Sequence, residues 1–234
     1  MSIIYSHGDK GGVGKSLVSA VYVDYLLQSG KPASVIEGDA SQPDIALRYH
    51  DLIEKRGVNL NRSGAAEEAV MAFTNAIAEL GEGDILVNLP AGAGDTLEEL
   101  AEVLVGAAEE LGHESYVLYS LGHSELATKA AIKSIDCGLL GAVAPEHRCM
   151  VYPAFLGSPD NFDWVRSGAR EKYQIREIVI PAIKPEALAQ KVLSLRGSFE
   201  SLTGKESPLT IGERLIFQKK FLIPALEAVA IFDK

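Results

Sequence analysis

The chain carries little that would staple, anchor or span. It has two cysteines in 234 residues, Cys137 and Cys149. They form neither a metal-ligand spacing nor a disulfide framework, which points to a reducing compartment, the cytoplasm. No uninterrupted apolar run reaches the roughly 18 residues that a bilayer requires. The N-terminus lacks the basic stretch and long apolar run of a signal peptide. Histidines at positions 7, 50, 113, 123 and 147 show no i,i+4 pair on a helix, so no transition-metal site is expected. His7, at the end of the first apolar run, is expected to be satisfied at a strand end rather than to touch a ligand.

Basic charge is also scarce. Acidic residues outnumber basic ones 32 to 22, and the net charge of -10 would repel a phosphate backbone unless the basic residues clustered. Direct binding to DNA is not favoured. Repeats, low-complexity stretches and linkers rich in Gly, Ser and Pro are absent, so residues 1–234 are expected to form one domain.

What is present is an ordinary globular composition, 47% apolar and 23% charged, in which short apolar runs alternate with helical patterns. Strands are expected at 2–6, 33–37, 84–88, 115–120, 148–152 and 176–180. Helices are expected at 14–29, 64–80, 96–111, 123–136 and 185–196. That order predicts an α/β fold, a doubly wound and mostly parallel sheet with helices on both faces. The helix at 96–111 has the clearest period, with Leu97, Leu100, Ala101, Leu104, Val105, Ala108 and Leu111 on one stripe. Thr96 and Glu99 fit a capping box, which ends the preceding loop at Asp95. Glu98, Glu99, Glu102, Glu109 and Glu110 predict a solvated acidic face. The apolar stretch from Leu215 to Phe232, around Lys219 and Lys220, reads as a core helix interrupted by Pro224 rather than as a membrane-surface helix.

The chemistry is concentrated in Gly8-Asp9-Lys10-Gly11-Gly12-Val13-Gly14-Lys15-Ser16, between the first strand and the first helix. Glycines let a polyphosphate approach the backbone. The N–H groups of Gly11, Gly12, Val13 and Gly14 can wrap it, and the positive end of the following helix adds to the field. Lys15 is expected to reach the β and γ phosphates, and the Ser16 hydroxyl to ligate magnesium. The plain alternative is a glycine-rich turn with two surface lysines. Its chance occurrence with this pattern is on the order of one in 10⁴ or less, with glycine at about 7% of residues.

The strict pattern is not met, because Asp9 stands where its first glycine belongs, and Lys10 is additional. In both respects the loop resembles the deviant Walker A loop of the ParA/MinD family of P-loop ATPases. The resemblance implies ATP or ADP with Mg2+, a nucleotide-dependent homodimer, and a role for Lys10 across the dimer interface at the partner's phosphates. Val35-Ile36-Glu37-Gly38-Asp39-Ala40-Ser41-Gln42-Pro43-Asp44 resembles the family's second motif. There Glu37 replaces the first aspartate, and Asp39 matches the second, placed near the attacking water and magnesium. Asp84-Ile85-Leu86-Val87-Asn88-Leu89-Pro90-Ala91-Gly92 resembles the Walker B strand, with Asn88 where the family has an aspartate. An amide can still accept from a magnesium-bound water but brings no charge, which implies weakened hydrolysis.

Met150 to Ala154 carries no counterpart of the family's adenine-reading asparagine. Glu177 to Ile183 resembles the strand and loop that lie over the base, and the chain has no Asn-Lys-x-Asp, the guanine-reading sequence of many related GTPases, an absence that favours adenine. The family reading is a slowly hydrolysing dimerising switch with a protein partner, in plasmid partition, mobilisation or the positioning of a cargo. The alternatives are a nucleotide-binding module without hydrolysis and an ATP-dependent small-molecule synthetase.

Overall fold

The computed structural model describes residues 1–8, 11–38, 43–60, 66–90 and 94–233. In chain order the strands are β1 (Ser2–His7), β2 (Ala33–Glu37), β3 (Glu54–Gly57), β4 (Asp84–Asn88), β5 (Glu114–Ser120), β6 (Arg148–Pro153) and β7 (Arg176–Ile180). They form a single seven-stranded sheet in the order β3-β2-β4-β1-β5-β6-β7, and every pairing is parallel.

The helices are α1 (Lys15–Gln28), α2 (Asp44–Arg48), α3 (Ala66–Leu80), α4 (Gly94–Glu110), α5 (Glu125–Cys137), α6 (Leu139–Ala142), α7 (Asp163–Arg166), α8 (Ala169–Tyr173), α9 (Glu186–Ser194), α10 (Ile211–Phe217) and α11 (Ile223–Val229). Strand alternation sends side chains to two cores. Ile3 and Tyr5 join Phe73 of α3 and Leu104 of α4 on one face. Ile4 joins Val21 of α1, Val192 of α9 and Phe221 on the other. The doubly wound expectation holds, with the sheet wholly parallel.

β1 lies at the centre, and the chain adds β2 to β4 on one side before crossing to β5, β6 and β7 on the other. The loop after β1 therefore opens at the point where strand order reverses, the natural crevice of a doubly wound sheet.

Three local expectations are corrected. β3, Glu54-Lys55-Arg56-Gly57, was not expected, because an edge strand exposes polar side chains on both faces and shows no apolar period. α4 begins at Gly94 rather than after a cap at Thr96; the first turn tolerates Gly and Asp because its N–H groups have no intrahelical partner anyway. Pro224 does not interrupt the C-terminal helix. A π-helical turn, Gln218–Leu222, widens the ladder before it, and Pro224 falls in the first turn of α11, where its missing N–H costs least. The capping box of this region sits at Thr210 and Glu213. Phe217, Phe221, Leu222, Ala225 and Val229 are buried, as a core helix requires. Among the described residues no helix is long and apolar enough to cross a membrane.

Candidate nucleotide site

The loop after β1 is shaped by glycines with positive φ. Gly12 (φ 81) and Gly14 (φ 86) adopt a left-handed backbone that other residues rarely enter. Gly14 is the N-cap of α1, so the N-terminal end of that helix faces the loop. Lys15, the first residue of α1, is buried, and its Nζ donates to the Gly8 carbonyl at 3.0 Å, folding the ammonium back over the loop. Val13 is buried. Ser16 Oγ lies 3.5 Å from the Asp44 carboxylate at the start of α2. Lys10 and Asp39 lie outside the described residues.

Beside the loop, the ends of β2 and β4 are joined through their side chains. Glu37 and Asn88 are register partners. Asn88 Nδ2 donates to Glu37 Oε2 at 2.8 Å, while its Oδ1 accepts from Ser19 of α1 at 2.9 Å. The other Glu37 oxygen accepts the backbone N–H groups of Ile45 and Ala46 at 2.7 and 2.8 Å. Burial raises the Glu37 carboxyl above its ordinary value, with the Asn88 amide and the two backbone donors opposing the rise. The charge absent from Asn88 is thus carried one strand over, where it ties the start of α2 to α1 and β4.

A cavity of about 1520 Å³ runs along these elements. It is lined by Gly11, Gly12, Gly14, Lys15, Ser16, Asp44 and Asn88, then by the loops after β6 and β7 and by α9. The predicted phosphate-binding residues, Val13 apart, and Asn88 are therefore brought to one place. The Ser16 hydroxyl and the Asp44 carboxylate offer hard-oxygen donors of the kind that suits a magnesium ion otherwise held by phosphate and water. Among those residues no group of three or more His, Cys, Asp or Glu is placed to hold a metal by itself. Cys149 is buried and Cys137 exposed, both as free thiols; burial pushes the Cys149 thiol up to about 12.

Sequence reasoning missed Asp44 and Phe155 as lining residues, and it misplaced Glu98. Asp44 was part of a quoted motif, but only the fold of α2 shows that it faces Ser16. Phe155 follows β6 by two residues and looks like any core aromatic. Glu98 is not on the solvated acidic face: it is 8% exposed. One of its oxygens meets His7 Nε2 at 2.9 Å, and the other accepts from Ser134 Oγ at 3.1 Å and from the Leu139 N–H at 2.6 Å. Burial opposes the Glu98 charge, but His7, Leu139 and Ser134 outweigh it, holding the carboxyl below the usual range. Its place three residues before Ala101 and seven before Val105, on the apolar stripe of α4, was the available signal. His7 is bonded at the strand end through Nε2 only, its buried Nδ1 having no hydrogen-bond partner among the described residues, and it packs edge-on against Tyr119.

An all-parallel sheet with this loop at its switch point is the fold of the P-loop NTPases of the MinD and ParA type. In particular, the chain superposes on the cell division ATPase MinD of Pyrococcus furiosus with a TM-score of 0.58 at 15% identity, covering 97% of this chain and 98% of that one. It matches MinD of Pyrococcus horikoshii complexed with Mg-ADP at 0.58 and 16%, covering 100% and 96%. Apo McdA of Cyanthece matches at 0.59 and 13%, covering 100% of both chains. No protein-family model matches the chain. A curated relative, the protein MobD of Acidithiobacillus ferrooxidans, is 44% identical over 62 residues, which is 26% of this chain and 27% of that relative. The matched stretch spans little more than a quarter of that protein.

Proposed function

We propose that residues 1–234 act as one nucleotide-binding domain that takes ATP with magnesium and works as a nucleotide-dependent switch between monomer and homodimer. The observation that carries this reading is the loop itself: glycines with left-handed φ, the open end of α1, and a buried Lys15 whose ammonium already sits across the crevice. The structural neighbour that holds Mg-ADP supports the choice of ligand. The loop would take the phosphates on its N–H groups and on Lys15, and Ser16 would ligate the ion. Asp39 would sit near the attacking water, and Lys10 would reach the partner subunit's nucleotide. Magnesium would supply charge neutralisation at the phosphates.

Hydrolysis is slow in this reading, because both ends of the Asn88 amide are engaged within the protein and it brings no charge toward the ion. The similarity to MobD favours a mobilisation-related role, with a protein partner as cargo or regulator, in the cytoplasm. A MinC:MinD complex among the structural neighbours is a precedent for such a partner.

Light scattering tests the switch. With a saturating non-hydrolysable ATP analogue and magnesium, the mass is expected to double, and Lys10→Ala is expected to abolish the doubling while leaving nucleotide affinity in place. Unchanged mass for the wild type at saturation would remove the dimer from this account.

A further inference from the structure

The cavity continues past the phosphate loop into a region with a different lining. The first wall it meets is Phe155, in the short 3-10 turn Ala154–Leu156 that follows β6. The ring lies directly over the loop: a side-chain carbon at Gly14 would stand 3.0 Å from Phe155 Cε1 and 3.3 Å from its Cζ. Phe155 is 48% exposed, which leaves part of it uncovered by the protein. The loop after β7 supplies the facing region, with Ile183 and Pro185 lining the cavity. β6 and β7 are register partners up to Pro153 and Ile180, so the two loops leave the sheet side by side. From Pro153 to Gly157 no side chain carries an amide or carboxylate, whereas Lys184, Glu186 and Gln190, in the loop after β7 and in α9, line the same cavity.

We infer that Phe155 holds the nucleobase by stacking. The inference rests on the nucleotide reading of the phosphate loop and adds a residue to it. An exposed aromatic face beside a phosphate site is apolar surface that a planar heterocycle covers, and every base has a π-face to offer. Holding by a ring face differs from reading by a hydrogen-bonding edge, which rejects the wrong partner by leaving buried polar groups unpaired. Phe155 therefore contributes equally to ATP and to GTP, and any preference between the two belongs to the polar side chains of the cavity.

Calorimetry with magnesium and three ligands, ATP, GTP and inorganic tripolyphosphate, tests this on the wild type, Phe155→Ala and Phe155→Trp. The wild type is expected to bind ATP and GTP more tightly than tripolyphosphate. Phe155→Ala is expected to weaken both nucleotides by about five-fold or more while leaving tripolyphosphate unchanged, and Phe155→Trp to restore them. Thermal melting confirms that the variants remain folded. Unchanged ATP affinity in folded Phe155→Ala, an equal loss for tripolyphosphate, or a loss for ATP that GTP does not share would overturn the inference while leaving the phosphate site standing. A wild type that binds neither tripolyphosphate nor ATP would overturn the nucleotide reading beneath it.

Discussion

At the scale of residues, the pair formed by Glu37 and Asn88 decides how the site manages charge. A carboxylate at position 88 would face Glu37 Oε2 across the 2.8 Å now spanned by an amide donor. Asn88→Asp would therefore remove a hydrogen bond and place two like charges in contact, so that one of the two carboxyls takes up a proton. A folded-state value raised above the unfolded one means that the native protein binds that proton more tightly, and stability is lost as pH rises through it. Asn88→Asp is expected to cost about 1–3 kcal/mol at pH 8 and clearly less at pH 5, and Glu37→Gln in the same chain to recover most of it. Urea unfolding at the two pH values checks this, and equal losses at both would show that the two side chains do not share a charge. The loop residues Gly11 to Ser16 were legible in the sequence because phosphate chemistry dictates their types and spacing. The Glu37–Asn88 bond was not, since it depends on the parallel register of two strands far apart in the chain.

At the scale of elements, α4 is held to the base of the phosphate loop by one side chain. Glu98 connects β1, through His7, with the junction of α5 and α6, through Ser134 and Leu139. Gly138 at that junction is obligatory for this arrangement, because any side-chain carbon there would fall 1.9 Å from a Glu98 oxygen. The folded-state value of Glu98 is lowered. Its contribution is therefore fully present above the unfolded value of about 4.3 and is lost as pH falls through the folded one. Glu98→Gln is expected to reduce stability by about 1.5–3 kcal/mol at pH 7, with the deficit shrinking below about pH 4. Denaturant melts across that range measure it; a deficit that does not change with pH would mean that shape, not charge, is what Glu98 supplies. Elements with a strong period were read from the sequence almost to the residue, as at β2, β4 and the long α3 and α4. The polar edge strand β3 was not, nor was the π turn that accommodates Pro224, because neither has an apolar pattern of its own.

At the scale of the whole molecule, the strand order places the described residues of the candidate site at the carboxyl end of a parallel sheet, around the reversal at β1. A chain of net charge -10 does not attract a polyphosphate by its overall field, so the attraction must be local. The buried ammonium of Lys15, the N–H groups of the loop and the open end of α1 are where the structure concentrates it. Lys15 is thus the side chain on which the nucleotide reading most depends. Calorimetric titration of the wild type and of Lys15→Ala with ATP and magnesium tests it most directly. The account expects saturable binding by the wild type and a loss of at least about ten-fold in affinity for a folded Lys15→Ala, the consequence of removing a hydrogen bond to a charged group. Equal affinities in the two proteins, or no binding by the wild type, would contradict it.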